Sequence, residues 1–423
     1  MNNKSYVLPI IMMFALFFMI SFVTGLQNPM GVIIKNQFGA SNFQSQLGNA
    51  ANFIAYAFMG IPSGLLLQKI GYKKTALLAI VVGFVGVGIQ YLSGSLESFE
   101  VYLTGAFISG FSMCMLNAVV NPMLNTLGGG GKKGNILLQF GGTINSFGAT
   151  IVPVLVGYLI GNAAQQTIKD ANPALFLAMG IFALAFIVLT LVSIPEPFLG
   201  KSEKNTGKYS AFSFRHFCLG AVAIFIYVGI EVGIPNTANL YMTSSVDNGG
   251  LGIDTTVAGT VIGTYWFLML IGRLVGASLG TKISSKTMLS FTALLGLVFI
   301  LLAIVSPSSI TVSMPVFKSD ISFGLAQLPI TIMFFVLCGL CTSVMWGGIF
   351  NLAVEGLGKY TSAASGIFMM MVCGGGILPL IQGYIVDNSG FLSSYWLIIL
   401  EFAFILYYAL IGSKNVNKDI PVN

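Results

Sequence analysis

Asn117, Asn121 and Asn125 recur at every fourth position of an otherwise apolar stretch, which puts all three on one face of a helix. Asn49, Asn52 and Tyr56 share a face in the same way, and Gln27 and Asn28 stand together ahead of Pro29. Further along come Gln139, Thr143, Asn145 and Ser146, then Tyr227, Glu231, Asn236 and Asn239, then Tyr265 with Trp266, and last Trp346 with Asn351. Amides donate and accept hydrogen bonds at once, as the hydroxyls of a sugar require, and flat aromatic rings can pack on the apolar face of a sugar ring. The set therefore suits an uncharged, polyhydroxylated ligand. An anionic ligand would call for several buried cations, and only Arg273 lies inside an apolar stretch. A lipophilic ligand would need fewer amides. The plainer reading of any one of these residues is adhesion between helices, since asparagines hydrogen-bond across membrane helices.

Two acids also lie inside apolar stretches, Glu231 and Glu401. Glu231 sits among polar residues and could carry a proton, bind a cation such as sodium, or accept hydrogen bonds from a ligand. Glu401 has no such company and reads as a packing feature or as facing one side of its helix. His216, the sole histidine, follows Arg215 at the start of an apolar run and reads as interfacial. The five cysteines all fall in apolar stretches, so they imply no disulfide framework, and Cys338 with Cys341 reads as small packing residues rather than a redox pair. There is no metal-ligand cluster, no Ser/His/Asp set and no phosphate-binding loop, so neither an enzyme nor a cofactor or metal is expected.

The elements that position these residues are helices of membrane-spanning length. Only 8% of the 423 residues are charged and mean hydropathy is +0.89, against roughly a quarter charged in a soluble domain. Runs of about 20 apolar residues fall at 6–34, 44–68, 75–94, 99–126, 135–161, 173–194, 214–243, 256–281, 286–306, 326–353, 361–386 and 392–412. The first run follows Lys4 without a small-residue cleavage site and reads as a span rather than a cleaved signal peptide. The stretch PEPFLGKSEKNTGKYSAFS, 195–213, divides the spans into two sets of six.

Orientation follows from the basic residues. With the N-terminus in the cytoplasm, Lys4, Lys69, Lys73, Lys74, Lys132, Lys133, Lys201, Lys204, Lys208, Arg215, Lys282, Lys286, Lys359, Lys414 and Lys418 lie inside, and only Lys35, Lys169 and Lys318 outside. An odd number of spans would destroy this asymmetry. Scattered over short connections, the net charge of +6 serves topology and gives no reason to expect nucleic-acid binding. Arg273, some nine residues before Lys282, then lies about 13 Å from the cytoplasmic end, a depth that suits a gate ion pair or a backbone contact more than direct ligand binding.

The two sets of spans repeat one another. Pro153 opens PVLVGYLI in the fifth span and Pro379 opens PLIQGYIV in the eleventh. Gly60 and Gly64 precede KKTALL, as Gly272 and Gly276 precede SKTMLS. Asn121 stands seven residues before Gly128, as Asn351 does before Gly358, and Gly25-Leu26-Gln27 matches Gly229-Ile230-Glu231. Parallel repeats with an even number of helices each are the pattern of the major facilitator architecture, which works by rocking of the halves about a site at the midplane.

Longer motifs carry a closer resemblance. LNAVVNP (116–122) resembles LETAANP of the fucose/galactose/glucose:proton symporter family, TINSFG (143–148) its TFNSFG, and YVGIE (227–231) its YVGAE or YVGAQ. IFNLAVEGLGKYTSAASG, followed by GGGILPLIQG (374–383), is similar to that family's tenth and eleventh spans. Gly64, Gly71 and Lys73 stand in a loop that resembles the superfamily signature GxxxDxxGRK, with Gln68 in place of the acid; the resemblance implies a part in the cytoplasmic gate. The family's acids of the first and fourth spans fall at Asn28 and Asn117, and a glutamine of its fifth span at Gly142, while Asn145 is retained. An amide cannot titrate, so the fucose-type proton path does not carry over, and Glu231 remains as the coupling acid.

The sequence thus predicts an all-α membrane protein with twelve transmembrane helices in two pseudo-symmetric six-helix bundles and both termini cytoplasmic. Residues 1–194 form the first bundle, 195–213 a cytoplasmic linker and 214–423 the second bundle. The expected function is import of a neutral hexose-type sugar across the bacterial inner membrane, as a monomer in the bilayer, coupled to protons through Glu231. Sodium coupling, uncoupled sugar transport, sugar sensing and efflux of small lipophilic compounds are the alternatives. Substrate contacts are expected from Gln27, Asn28, Asn117, Asn121, Asn145, Glu231, Asn236, Trp346 and Asn351, and gating from Arg273, Gly64, Gly71 and Lys73.

Overall fold

The computed structural model describes residues 6–128, 131–160, 167–196, 209–280, 282–317, 322–417 and 419–422. The chain opens with α1 (Val7–Phe38), stopped by Gly39 in the left-handed conformation. A single turn, α2 (Asn42–Ser45), follows, started by Ser41, whose side chain accepts from the Gln44 N–H while the Gln44 side chain accepts from the Ser41 N–H. Then come α3 (Leu47–Leu96), α4 (Phe99–Leu127), α5 (Gly131–Ile160) and α6 (Asn172–Leu191). After the 195–213 stretch run α7 (Arg215–Thr243), α8 (Thr255–Leu279) and α9 (Ser285–Val305). The N–H groups at helix starts are taken up locally, by Ser98 for α4, Asp254 for α8 and Ser284 for α9.

Two strands interrupt the helices, β1 (Thr311–Phe317) and β2 (Phe323–Pro329), paired antiparallel with Thr311 opposite Pro329. This hairpin is an addition to the helical fold, and the helix expected from 326 starts instead at Ile330. TVSMPVF alternates exposed and buried positions, a period that suits a strand, and it pairs with FGLAQLP across a short connection. The last helices are α10 (Ile330–Thr342), α11 (Met345–Val354), α12 (Thr361–Met371), α13 (Gly374–Ser389) and α14 (Phe391–Tyr407). The predicted tenth and eleventh spans are therefore each broken near the middle, at Ser343–Val344 and Val372–Cys373. The predicted second and third spans, both within α3, are separate helical stretches, Leu47–Leu67 and Lys69–Leu96, that meet at a sharp kink where Gly71 leaves helical geometry.

Among the described residues, eleven helical segments are long and apolar enough to cross a membrane, and the apolar part of α5 is shorter, Phe140–Val156. Phe58, Leu65, Leu184, Ile187, Leu191, Phe291 and Leu400 point outward and exposed, which is tolerable in lipid and costly in water. The most enclosed helices are α4 and α7, with 67% of their apolar windows buried, against 33% for the span containing α6 and 28% for α9. Polar residues on α4 and α7 are thereby held inside the bundle. Helices before the 195–213 stretch pack on one another, α1 on α5 and α3 on α4 and α6; those after it do likewise, α7 on α11, α13 and α14, and α9 on α10. The two groups meet where α5 packs on α8 and where α12 and α13 pack on α3. At the second junction Gly376 allows close approach: a Cβ there would lie 2.8 Å from the Ala50 carbonyl oxygen.

Candidate functional site

The ion pair of Glu231 with Arg273 occupies the junction between the two groups of helices. Arg273 Nη2 lies 3.4 Å from Glu231 Oε1, and both side chains are 15% exposed. The second guanidinium nitrogen, Nη1, donates to the Gly142 carbonyl at 2.8 Å. Arg273 therefore joins its own neighbour α7 to α5, across the junction. It makes both of the contacts that its depth suggested, an ion pair and a backbone bond. A Cβ at position 142 would lie 3.8 Å from Nη1, so the residue type there bears directly on the arginine.

Aromatic side chains enclose the pair. Tyr227, one turn before Glu231 on α7, is fully buried. Trp346, on the first turn of α11 just past the helix break, sets its ring 6.3 Å from that of Tyr227 in an edge-on arrangement. Tyr265 donates to the backbone carbonyl of Glu231 at 3.2 Å and lies 3.2 Å from the Thr342 hydroxyl. These contacts fix the α7 backbone at Glu231 from α8 and α10.

The amides of the first group are held by bonds within that group. Asn145 is one turn past Gly142 on α5 and donates to the Phe17 carbonyl of α1 at 3.2 Å. On α4, Asn117 Nδ2 lies 3.1 Å from the Tyr56 hydroxyl and 3.1 Å from the Met113 carbonyl, and Asn121 donates to the Asn117 carbonyl at 2.8 Å. All three amides are half-buried, so they keep acceptor capacity for a ligand while their NH2 groups are held.

The remaining predicted residues are placed elsewhere. Gln27 is buried and accepts from Tyr102 at 2.8 Å, with its own NH2 group unpartnered among the described residues. Asn236 lies towards the far end of α7 and donates to Gln46 at 3.2 Å. Asn351 is exposed on α11 and is not drawn into the cluster. The side chains of Asn28, Gln68, Asn125 and Gln139 lie outside the described residues. His216, expected at an interface, is buried, with Nε2 2.9 Å from the Glu355 carbonyl. Glu401 is buried and both its carboxyl oxygens lack partners among the described residues.

At the bend of α3, Gly71 has φ 85°, a conformation that glycine adopts without strain. A Cβ there would lie 2.5 Å from the carboxylate of Glu196. That carboxylate accepts the backbone N–H groups of Tyr72 and Lys73 at 2.5 and 2.9 Å, and Lys73 Nζ reaches the Thr190 carbonyl at 2.8 Å. These bonds tie α3 to the end of α6, within one group of helices, and Gly64 has no atom within 4 Å of its notional Cβ. Sequence reading left Glu196 in the linker; its sign is an acid just past an apolar run whose only neighbours are prolines.

A family profile for the Major Facilitator Superfamily matches residues 13–327. The chain belongs to the major facilitator superfamily. Among relatives of this superfamily member, the glucose/galactose transporter of Brucella abortus is 29% identical over 423 residues, covering 98% of this chain and 96% of the relative. The L-fucose-proton symporter of Escherichia coli is 24% identical over 445 residues, covering 99% and 96%. The crystal structure of a superfamily transporter, the E. coli fucose symporter in the outward conformation, superposes with a TM-score of 0.70 at 21% identity, over 97% of this chain and all of that one. The fold is therefore that of a multi-pass membrane transporter, in a superfamily of transporters rather than enzymes.

Proposed function

We propose that this protein imports a neutral hexose-type sugar by alternating access of two six-helix halves, 1–194 and 214–423, and that a proton drives it through Glu231. The observation that carries the reading is the Glu231–Arg273 pair, anchored to the other half at the Gly142 carbonyl. The relatives named for glucose, galactose and fucose support the substrate class, and the amides of Asn117, Asn121 and Asn145 with the Trp346 ring supply matching chemistry. Charge bias in the connections supports cytoplasmic termini and, with the bacterial relatives, residence in the inner membrane.

The coupling step needs only the chain's own groups. Ionised Glu231 holds Arg273. When a proton binds the carboxyl, the ion pair is lost and the guanidinium retains only its bond to Gly142 across the junction. That changes the strength of the α5–α8 contact on which rocking turns. Coupling thus sits in the second half, while Asn28 and Asn117 stand where related symporters carry acids.

Counterflow in proteoliposomes tests the substrate class. Vesicles preloaded with glucose or galactose take up labelled sugar transiently, and Asn117→Ala raises the KM about ten-fold through loss of one hydrogen-bonding group. A panel in which no hexose exchanges, while lipophilic cations do, would overturn the assignment in favour of efflux.

A further inference from the structure

The two halves are fastened together a second time, at the end of the bundle that carries the α1–α2 connection. Asp387, near the end of α13, accepts from the Asn42 backbone N–H and Nδ2 through Oδ1, both at 2.8 Å, and from the Phe43 N–H through Oδ2 at 2.8 Å. Lys35, near the end of α1, donates to Asn42 Oδ1 at 2.6 Å and to the hydroxyl of Ser244, just past α7, at 2.7 Å. One carboxylate and one ammonium thus each reach from one half into the other, and Asn42 touches both. Below them, Asn49 donates to the Gly375 carbonyl at 2.8 Å.

We propose that Asp387 and Lys35 form the latch of the gate at this end, holding it shut in the conformation seen here. The contacts suit a gate rather than fixed packing. They are charge-assisted and therefore strong and directional. The bonds to Asp387 also lie in exposed surroundings, while those of Lys35 are only partly buried, so the carboxylate and the N–H groups it releases on opening are taken up by water instead of being stranded in lipid. Among the described residues no other group takes the Asn42 and Phe43 N–H groups, so when the halves part α2 loses its acceptor and is free to move with the first half. Asp387 is a positioning residue; it does not face the Glu231 cluster. With cytoplasmic termini this is the outer gate.

The inference rests on rocking of two halves but not on the identity of the substrate, and it is tested without sugar. Spin labels at Glu100→Cys and Val246→Cys, exposed positions at this end in the first and second halves, report the separation once the five native cysteines are replaced. Asp387→Asn increases the population with this end open, on the order of ten-fold relative to the closed one, and Asp387→Glu restores most of the closed population. Lys35→Met shifts it the same way and serves if the Asp387 variant does not fold. Asn388→Ala, which removes an amide that among the described residues bonds within α13, leaves it unchanged. Unaltered distance distributions in both latch variants, or an equal shift in Asn388→Ala, would overturn the assignment.

Discussion

A buried ion pair is costly to assemble and more costly to halve. Removing one partner leaves an uncompensated charge in a poorly solvated place, at about 3–5 kcal/mol. Arg273→Gln is therefore expected to lower the unfolding free energy in detergent by about 3 kcal/mol. Adding Glu231→Gln recovers most of it; a double variant as unstable as the sum of its parts would show that the two residues do not interact. Much of this site is legible in the sequence. Glu231, Asn117, Asn121, Asn145 and Trp346 stand out as polar or aromatic groups at lipid depth, where such groups are expensive and so face inward. The partner of Glu231 is not legible, because a residue forty-two positions away is brought to it only by packing of α7 on α8. Gln27 and Asn236, expected as ligand contacts by the same rule, bond to Tyr102 and Gln46. Composition distinguishes neither role.

At the scale of elements, the bend at Gly71 shows how one backbone conformation sets two helices. Its φ of 85° and the Glu196 carboxylate against its Cα both exclude a side chain. Gly71→Ala is expected to cost about 1–3 kcal/mol, read as a lowered unfolding temperature, while Glu196→Gln costs less because the amide oxygen still accepts. Equal thermal stability of Gly71→Ala and the parent would contradict the strain. Apolar length marked nearly every helix, since lipid admits little else, and the signature resemblance pointed to this loop. The β1–β2 hairpin is hard to read because Phe323–Pro329 runs into α10 without a charge, and Pro329, which marks the junction, is also tolerated in the first turn of a helix. The breaks before Trp346 and before Gly374 have no proline at the break itself and were equally silent.

Amide bonds from Asn49 and Asn236 cross between the halves, and among the described residues two joints there involve charged side chains. One is the Arg273 bond to Gly142 and the other the Asp387–Lys35 latch, and α3 packed on α12 and α13 lies between the halves as well. Internal sequence repeats made the two-part organisation readable, whereas the joints are built from residues with no counterpart in the repeat: Lys35 and Asp387 look like ordinary charges near helix ends. In the proposed function Glu231 is the group whose protonation state the α5–α8 joint senses. The most direct test is accumulation of labelled hexose by proteoliposomes under an imposed pH gradient, acid on the side from which sugar enters. The parent protein should concentrate sugar several-fold above the external level, and Glu231→Gln should retain counterflow but lose accumulation. Accumulation by Glu231→Gln equal to that of the parent would contradict the assignment of coupling to this carboxyl.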